Sequence, residues 1–598
     1  MLFLWGEGEF VRLEAQIDYG NLRILPHTEE QLETFSLGYF ADTRIGLEAW
    51  ADTVAKVYNI RLPPQPTGYC TWYHAGASNE RDLRRLAEFV ARHLKPFGFS
   101  VIQIDDGWQD GLKKDGPRRN FTSHRPDGPY PSGMGAIANY IRSLGLTPGL
   151  WFMPFAGTVG DPVFKDEWFV KRIDGRPYEV RWGGACLDIT HPGVQEHIRR
   201  VVHRIVHEWG YRYLKMDGLW TGTATPLMYV NDAYRDDGIG DAIFHNPFKT
   251  NIEVFREGLK LVREVAGRDV FLLGCCAPQN MRSYGGAFGL VDAMRIGPDT
   301  GTNFDKLFRG PLFGSRHYHL HGRIWYNDPD VIFIGPRVAF SHAQLLCSWV
   351  TVTGQLNISS DPYPDIPLER LDLLKRSMPP HRLNARPVDL FETEPPRFWV
   401  VKDNRKTPEQ ILVGVFNWGN ERLKTNVTLE WLGLPKNRTY AAFEFWTDHL
   451  LCPITKELPI DLSPAILKYP DGKLMAPDEP CCAVFSLRPL VVHPQLISTS
   501  RHITQGIVDV LSEVWDATRK TLKGESALVG NDPYELRVLL YSTKGTWRFA
   551  KFEVSRSDRV AGVKVISIKT GPKLLRVSLI SPENRIVKWF IQFEKPKG

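Results

Sequence analysis

The sequence predicts an α/β protein, a (β/α)8 barrel followed by C-terminal antiparallel β domains, and three observations carry that expectation. Between Gly68 and Ile358, short apolar runs alternate with polar loops and helical patterns, giving eight strand–helix units. That rhythm fits a closed barrel better than an open sheet, although spacing alone leaves both open. After Ser377-Met378-Pro379-Pro380 helical periodicity disappears and apolar and polar residues alternate between turn signals. The length, 598 residues, exceeds what one hydrophobic core holds.

Residues 1–62 do not read as a complete domain. Phe3–Ile24 alternates like one or two strands and Leu47–Tyr58 like an amphipathic helix, so the segment is expected to be a remnant of a larger β domain. Pro63-Pro64-Gln65-Pro66 is a stiff linker that opens the barrel, residues 63–378. Its strands are expected at Gly68–Trp72, Ser100–Asp105, Thr147–Phe155, Tyr211–Asp217, Val270–Cys276, Asp292–Asp299, Gly322–Tyr326 and Trp349–Ile358. Helices are expected over Asn79–Leu94, with Leu83, Leu86, Phe89, Val90 and Leu94 inward and Ser78 as cap, and over Val194–Trp209 and Asn251–Val265. The loops after strands three and four are long, and long loops at strand C-termini are where a barrel builds a pocket. Residues 379–490 then read as an antiparallel sandwich, with strands at Phe398–Val401, Ile411–Trp418, Asn426–Leu432 and Thr439–Trp446. Residues 491–598 read as a second β domain.

Composition excludes several classes. A net charge of +6 is spread thinly, and Arg81-Asp82-Leu83-Arg84-Arg85 has the helical spacing of a solvated face, so no nucleic acid is expected. No apolar run reaches membrane-spanning length, and Met1–Trp5 lacks the core and basic flank of a signal peptide, so a cytoplasmic protein without a membrane partner is expected. The eight cysteines form no C-x-x-C pair and sit in apolar surroundings, the pattern of reduced, buried thiols. Aromatic residues reach 12%, with 18 tryptophans, a content that suits sugar clefts and large cores alike.

Chemistry gathers at strand ends. Tyr211–Trp220 is an apolar run that delivers Lys215 and Asp217, two residues apart and so on one side of a strand, to its C-terminal rim. A lysine beside a carboxylate favours the ionised form, as a nucleophile needs, though a plain salt bridge has the same spacing. Strand two ends in Ile104-Asp105-Asp106-Gly107-Trp108-Gln109, where two carboxylates and an indole suit a sugar clamp; a calcium or magnesium site or a simple turn are the alternatives. Both aspartates can face the axis only if the chain is already turning at Gly107. Strand six ends in Arg295-Ile296-Gly297-Pro298-Asp299, a second isolated carboxylate. Burial there would raise the Asp299 pKa towards a working acid, whereas pairing with Arg295 would argue against it. Arg295 is read as a donor to substrate hydroxyls. Two carboxylates from different strands are what a glycosidase needs.

These motifs, with Gly68-Tyr69-Cys70-Thr71-Trp72-Tyr73 on strand one and Asn327-Asp328-Pro329-Asp330 after strand seven, resemble the α-galactosidases of glycoside hydrolase family 36 (melibiase-like), their relatives in the same clan such as family 27, and the raffinose synthases. The resemblance covers about Gly68 to Ser360. It implies a retaining exo-glycosidase without metal or organic cofactor that removes terminal α-galactosyl residues from oligosaccharides or glycoconjugates. Asp217 would be the nucleophile and Asp299 the acid and then the base. Asp105 and Asp106 would hold the 4- and 6-hydroxyls, Lys215 a ring hydroxyl and Arg295 the 2-hydroxyl side. Trp72, Trp108 and Trp151 would line the pocket, and Cys275 would lie near the 2-substituent. A homo-oligomer is a further implication. Only about 60 residues precede the barrel, where full-length relatives carry a large β domain. Thr499–Gly506 resembles a stretch of uncharacterised members. Alternatives that keep the site are a raffinose-synthase-like galactosyl transferase and an α-N-acetylgalactosaminidase; a non-catalytic carbohydrate-binding relative is a third.

Elsewhere the bland reading prevails. His317, His319 and His321 would share a face on an extended segment and hold zinc, yet adjacent positions on one strand seldom close a tetrahedral site, so they read as polar residues leading into strand seven. His74 is a loop residue, and Tyr284-Gly285-Gly286-Ala287 a turn.

Overall fold

The computed structural model describes residues 2–7, 10–15, 19–29, 34–74, 78–225, 242–275, 281–469 and 472–595. Cys276 and residues 226–241 of the loop after the fourth strand lie outside them. The central sheet is built from β1 (Thr67–Cys70), β2 (Val101–Ile104), β3 (Thr147–Phe152), β4 (Tyr213–Met216) and β5 (Phe271–Gly274). It continues with β6 (Ala293–Arg295), β7 (Tyr326–Asp328), β8 (Val331–Ile332) and β9 (Asn357–Ser359). All pairings are parallel, in the order β7-β6-β5-β4-β3-β2-β1-β9-β8. The two ends of that order, β7 and β8, are consecutive in the chain around Pro329-Asp330, and the Leu356 amide just before β9 donates to the Asn327 carbonyl at 3.0 Å. The sheet therefore curls round on itself, TIM-barrel-like. β1, β2 and β4 are buried on both faces, which is why they read as continuous apolar runs.

Between the strands lie helices Glu80–His93, Met134–Ser143, Pro192–His203 and Asn251–Ala266. The first is capped by Asn79, which accepts from the Asp82 amide at 3.0 Å, so Ser78 is not its cap. Pro192–His203 runs on into a π turn, Arg204–Glu208, and Asn251–Ala266 opens with a Thr250/Glu253 capping box.

Two strand expectations fail. Of Gly322–Tyr326 only Tyr326 belongs to the seventh strand, and the first half of Trp349–Ile358 is helix: Phe340–Thr353 is helical and Asn357–Ser359 is strand. The run Cys347–Thr353 is rich in tryptophan and β-branched residues and imitates a buried strand. It is helical because it is wedged between the barrel and a β-sheet and buried on every side. Ser348, Thr351 and Thr353 satisfy their hydroxyls on the carbonyls four residues back, at 2.7, 2.6 and 2.9 Å. The three histidines likewise do not share an extended face. His317 follows helix Arg309–Arg316, His319 sits in a 3-10 turn, and His321 accepts from the Asn327 amide at 3.1 Å. Tyr284–Gly286 ends a short helix, Met281–Gly286, in place of a simple turn.

After the barrel, a six-stranded antiparallel sheet runs Ala385–Pro387, Phe398–Asp403, Gln410–Phe416, Cys482–Pro489, Tyr440–Glu444, His449–Ile454 in spatial order. One face (Val400, Ile411, Val413, Val415) packs on the pair Leu423–Thr428/Glu457–Leu462. The other face (Trp399, Val401, Leu412, Phe416) joins the core of the barrel. The last part holds two four-stranded antiparallel sheets around Leu536, Val538, Val577, Trp589 and Ile591. Thr499–Gly506 is the buried seam of the three parts. Arg501 donates to the carbonyls of Phe97, Lys375 and Met378 at 3.1, 3.0 and 3.0 Å, and Gln505 donates to the Val484 carbonyl at 2.9 Å.

Leu345, fully buried in the wedged helix, gives the packing test. Leu345→Ala is expected to cost about 2–5 kcal/mol, measured as a lowered denaturation midpoint. An unchanged midpoint would mean the helix is not clamped between the two cores.

Candidate active site

The C-terminal ends of β2, β4, β6 and β7 bring charged side chains together, joined by Cys70 and Tyr73 from the end of β1. β2 turns at Gly107, whose φ of +117° favours glycine, so the adjacent carboxylates separate into different environments. Asp105, 3% exposed, accepts through Oδ2 from Lys215 Nζ at 2.8 Å, Gln103 Nε2 at 2.9 Å and the Cys70 thiol at 3.3 Å. Its Oδ1 accepts from the Asp106 amide at 2.9 Å. Burial opposes its ionisation, but Lys215 and these donors outweigh it and hold the carboxyl below its usual range. Lys215, equally buried, stays protonated because Asp105 outweighs its desolvation. Asp106 takes Gln109 Nε2 at 2.6 Å, and burial, aided by the charges of Asp105 and Asp217, pushes its pKa up.

Lys215 therefore serves Asp105 and not Asp217, contrary to the expectation that it charges its neighbour two residues on. Asp217 instead accepts from neutral donors, the Trp151 indole at 2.9 Å and the Gly218 amide at 2.7 Å. Gly218 suits this turn: its φ of +62° is in the left-handed region, and a Cβ there would fall 2.3 Å from Met153 Cε, which would have to shift.

Arg295 is also committed. Its Nη2 lies 2.9 Å from Asp299 Oδ1 and 2.7 Å from Asp330 Oδ2, and the guanidinium is buried and firmly protonated. Its Nη2 is thus shared between two carboxylates, while its Nε has no hydrogen-bond partner among the described residues. The Asp299 side chain is 60% exposed, and what desolvation it has is outweighed by Arg295 and then Lys215, so its pKa is lowered, not raised. The expected burial-tuned acid is in this state a paired carboxylate.

Sequence reasoning gave no role to the carboxylates of β7's end. Asp330 sits at φ +74°, turned there by its own amide's bond to Asp328 Oδ1 at 2.9 Å. It accepts from Tyr73 Oη, the Thr300 amide (2.7 Å), Thr300 Oγ1 (2.8 Å) and Arg295. Asp328 is 4% exposed, and burial raises its pKa to about 6 despite Arg295. The Asp-Pro-Asp spelling was the available signal, since proline ends the ladder and leaves both carboxylates at the rim.

The tryptophans divide. Trp151 reaches Asp217, and Trp72 is 45% exposed above β1. Trp108 does not line the site: its indole donates to the Trp151 carbonyl at 2.9 Å and its ring packs on Phe121 and Trp209 in the core. Cys275 is buried at the end of β5, its amide bonded to the Met216 carbonyl at 2.8 Å. Among the described residues no group of three histidine, cysteine or acidic side chains is placed to hold a metal ion.

Residues 73–226 match the Melibiase family, the span that carries Asp105, Asp106, Trp151, Lys215 and Asp217. A probable alpha-galactosidase of Dictyostelium discoideum is 24% identical over 298 residues, 49% of this chain and 61% of that protein. An alpha-galactosidase of Cyamopsis tetragonoloba is 30% identical over 107 residues, 16% of this chain and 25% of its own. The chain therefore spans less than two thirds of the length of the curated relatives it matches. Among solved structures, a GH27 β-L-arabinopyranosidase of Geobacillus stearothermophilus aligns with a TM-score of 0.52 at 17% identity, over 74% of this chain and 98% of that one. That likeness is one of fold. Together these findings make the barrel segment melibiase-like, α-galactosidase-like in the clan of families 27 and 36. The narrower expectation of family 36 is not confirmed by these matches.

Asp328 allows a test by linkage. Its folded pKa of about 6 exceeds the ordinary 3.8, so native and unfolded forms are both neutral well below 3.8 and both charged well above 6. The native state then carries a buried charge at high pH only, and stability falls as pH rises through that window. Asp328→Asn is expected to raise the melting temperature at pH 8 and leave it nearly unchanged at pH 3. Equal shifts at both pH values would refute the raised pKa.

Proposed function

We propose that the protein is a retaining exo-α-galactosidase acting on α-galactoside oligosaccharides. The observation that carries this reading is the setting of Asp217: a rim carboxylate, oriented by one indole and one amide, whose neighbouring lysine is engaged elsewhere. A carboxylate held by neutral donors keeps more nucleophilicity than one locked in an ion pair, and its orientation is fixed before substrate arrives. Asp217 attacks the anomeric carbon as the glycosidic bond breaks, and Asp299 gives its proton to the leaving oxygen. Asp299 then removes a proton from water, which displaces Asp217 from the sugar. For the first step Asp299 must hold a proton, so the Arg295 contact shifts wholly to Asp330 when substrate fills the site. Asp105, Asp106 and Lys215 hold galactose hydroxyls, Trp151 and Trp72 flank the ring, and Cys275 faces the 2-substituent. No metal or organic cofactor enters these steps. We read β7 and β8 as one strand broken at Pro329-Asp330, which makes eight strand units in the barrel.

The test is hydrolysis of p-nitrophenyl α-D-galactoside. Wild type is expected to turn over, and Asp217→Gly to lose activity by about 10³-fold or more. Azide is expected to rescue the variant in part, giving β-galactosyl azide. Wild-type silence on α-galactosides, or an Asp217→Gly variant as active as wild type, would sink the reading.

A further inference from the structure

Trp182 is held in a conformation its side chain disfavours. Its φ is +61°, the left-handed region, where a bulky aromatic residue is an outlier. The surrounding loop imposes it. The Trp182 amide donates to Asp115 Oδ2 at 2.6 Å, and its carbonyl accepts from Arg119 Nη2. Arg119 is 1% exposed and has no carboxylate ion pair among the described residues. It also donates to the carbonyls of Gly183 (2.9 Å) and Asp115 (2.7 Å) and to Thr158 Oγ1 (3.2 Å). Burial lowers its pKa to about 10. Gly184, at φ +83°, makes room for this guanidinium, because a Cβ there would lie 2.5 Å from Arg119 Cζ. A buried cation committed to loop carbonyls is a costly device, and what it fixes is the position of Trp182.

That position joins both halves of the site. The Trp182 ring stacks on Trp220 with centroids 5.8 Å apart and planes at 25°. Trp220 is fully buried in the turn Leu219–Thr223, which follows Asp217-Gly218 directly. On the other side, Gln109 Nε2 bonds both Asp106 Oδ1 at 2.6 Å and the Arg118 carbonyl at 2.8 Å, tying the Arg119 loop to the carboxylate pair. Trp182 belongs to the excursion Ala156–Cys186, a three-stranded sheet standing out from the end of β3. One ring face covers Trp220, and the residue is only half-buried.

We propose that Trp182 is the platform for the sugar on the leaving-group side of the scissile bond, the ring attached to galactose in an oligosaccharide substrate. This rests on the α-galactosidase reading and extends it to a second subsite. An indole face takes the C–H face of a pyranose and needs no fixed hydroxyl pattern, so the subsite accepts neutral sugars of varied configuration. The device holds the ring in place before binding, so little ordering is left for the substrate to supply.

The experiment compares melibiose with α-D-galactosyl fluoride, whose leaving group is a single atom that does not reach the subsite. In Trp182→Gly the ratio of kcat/KM for melibiose to that for the fluoride is expected to fall about 10-fold, with the loss mainly in KM. Glycine adopts φ +61° freely, so this variant keeps the loop's backbone conformation and is expected to fold. Trp182→Phe is expected to restore part of the ratio. An unchanged ratio in Trp182→Gly, with both substrates turned over, overturns the platform and leaves the α-galactosidase reading intact. A wild type that hydrolyses neither substrate ends the α-galactosidase reading, and the platform falls with it.

Discussion

The buried ion pair of Lys215 and Asp105, 2.8 Å long with side chains 8% and 4% exposed, is the contact on which the site depends. It links β4 to β2, strands that flank β3 in the sheet, and so fixes the mouth of the barrel across a strand. Desolvating two charges is expensive, and the pair holds because Gln103, Cys70 and the Asp106 amide satisfy the rest of the carboxylate. Losing either partner would leave a buried charge without its counterion. Because Lys215 is engaged there, Asp217 is left to the Trp151 indole and the Gly218 amide. One pairing thus decides the partners of two carboxylates.

A second cation divides its charge in the same way. Arg295 stands between Asp299, open to solvent, and Asp330, buried and bonded to Thr300 and Tyr73. Lys215 and Arg295 are the buried cations among six carboxyl groups: Asp105, Asp106, Asp217, Asp299, Asp328 and Asp330. The two cations hold Asp105 and Asp299 ionised, while Asp106 and Asp328, less well compensated, are pushed up. The contrast is a product of which carboxylate each cation reaches, and it separates groups that as free side chains are identical.

Much of this was legible. Parallel strands buried on both faces leave apolar runs in the chain, so β2 to β6 stand within the expected segments and β1 begins one residue ahead of its own. The rim residues follow the runs directly, which is why Asp105, Asp217 and Asp299 could be picked out. Phe340–Thr353 was not legible as a helix, because burial on all sides removes the 3.6-residue periodicity and leaves only a β-branched composition. Trp108 is masked for a related reason: an indole beside two aspartates looks like pocket lining, yet the turn at Gly107 sends it into the core against Phe121 and Trp209. Arg119 and Trp182 gave no signal at all. Their significance lies in a positive φ and in hydrogen bonds to carbonyls distant in sequence.

By itself the sequence determined the parallel strand rhythm, the change to antiparallel texture after Pro380, and the charged residues that stand at strand ends. These depend on periodicity and local geometry, which neighbouring residues impose on one another. Only the tertiary structure decided which charge meets which: Lys215 with Asp105, Arg295 with both Asp299 and Asp330, Trp151 with Asp217. Partner choice at a barrel rim depends on how strands are staggered and how loops cross between them. That geometry arises from closing the sheet, and no segment of the chain carries it alone.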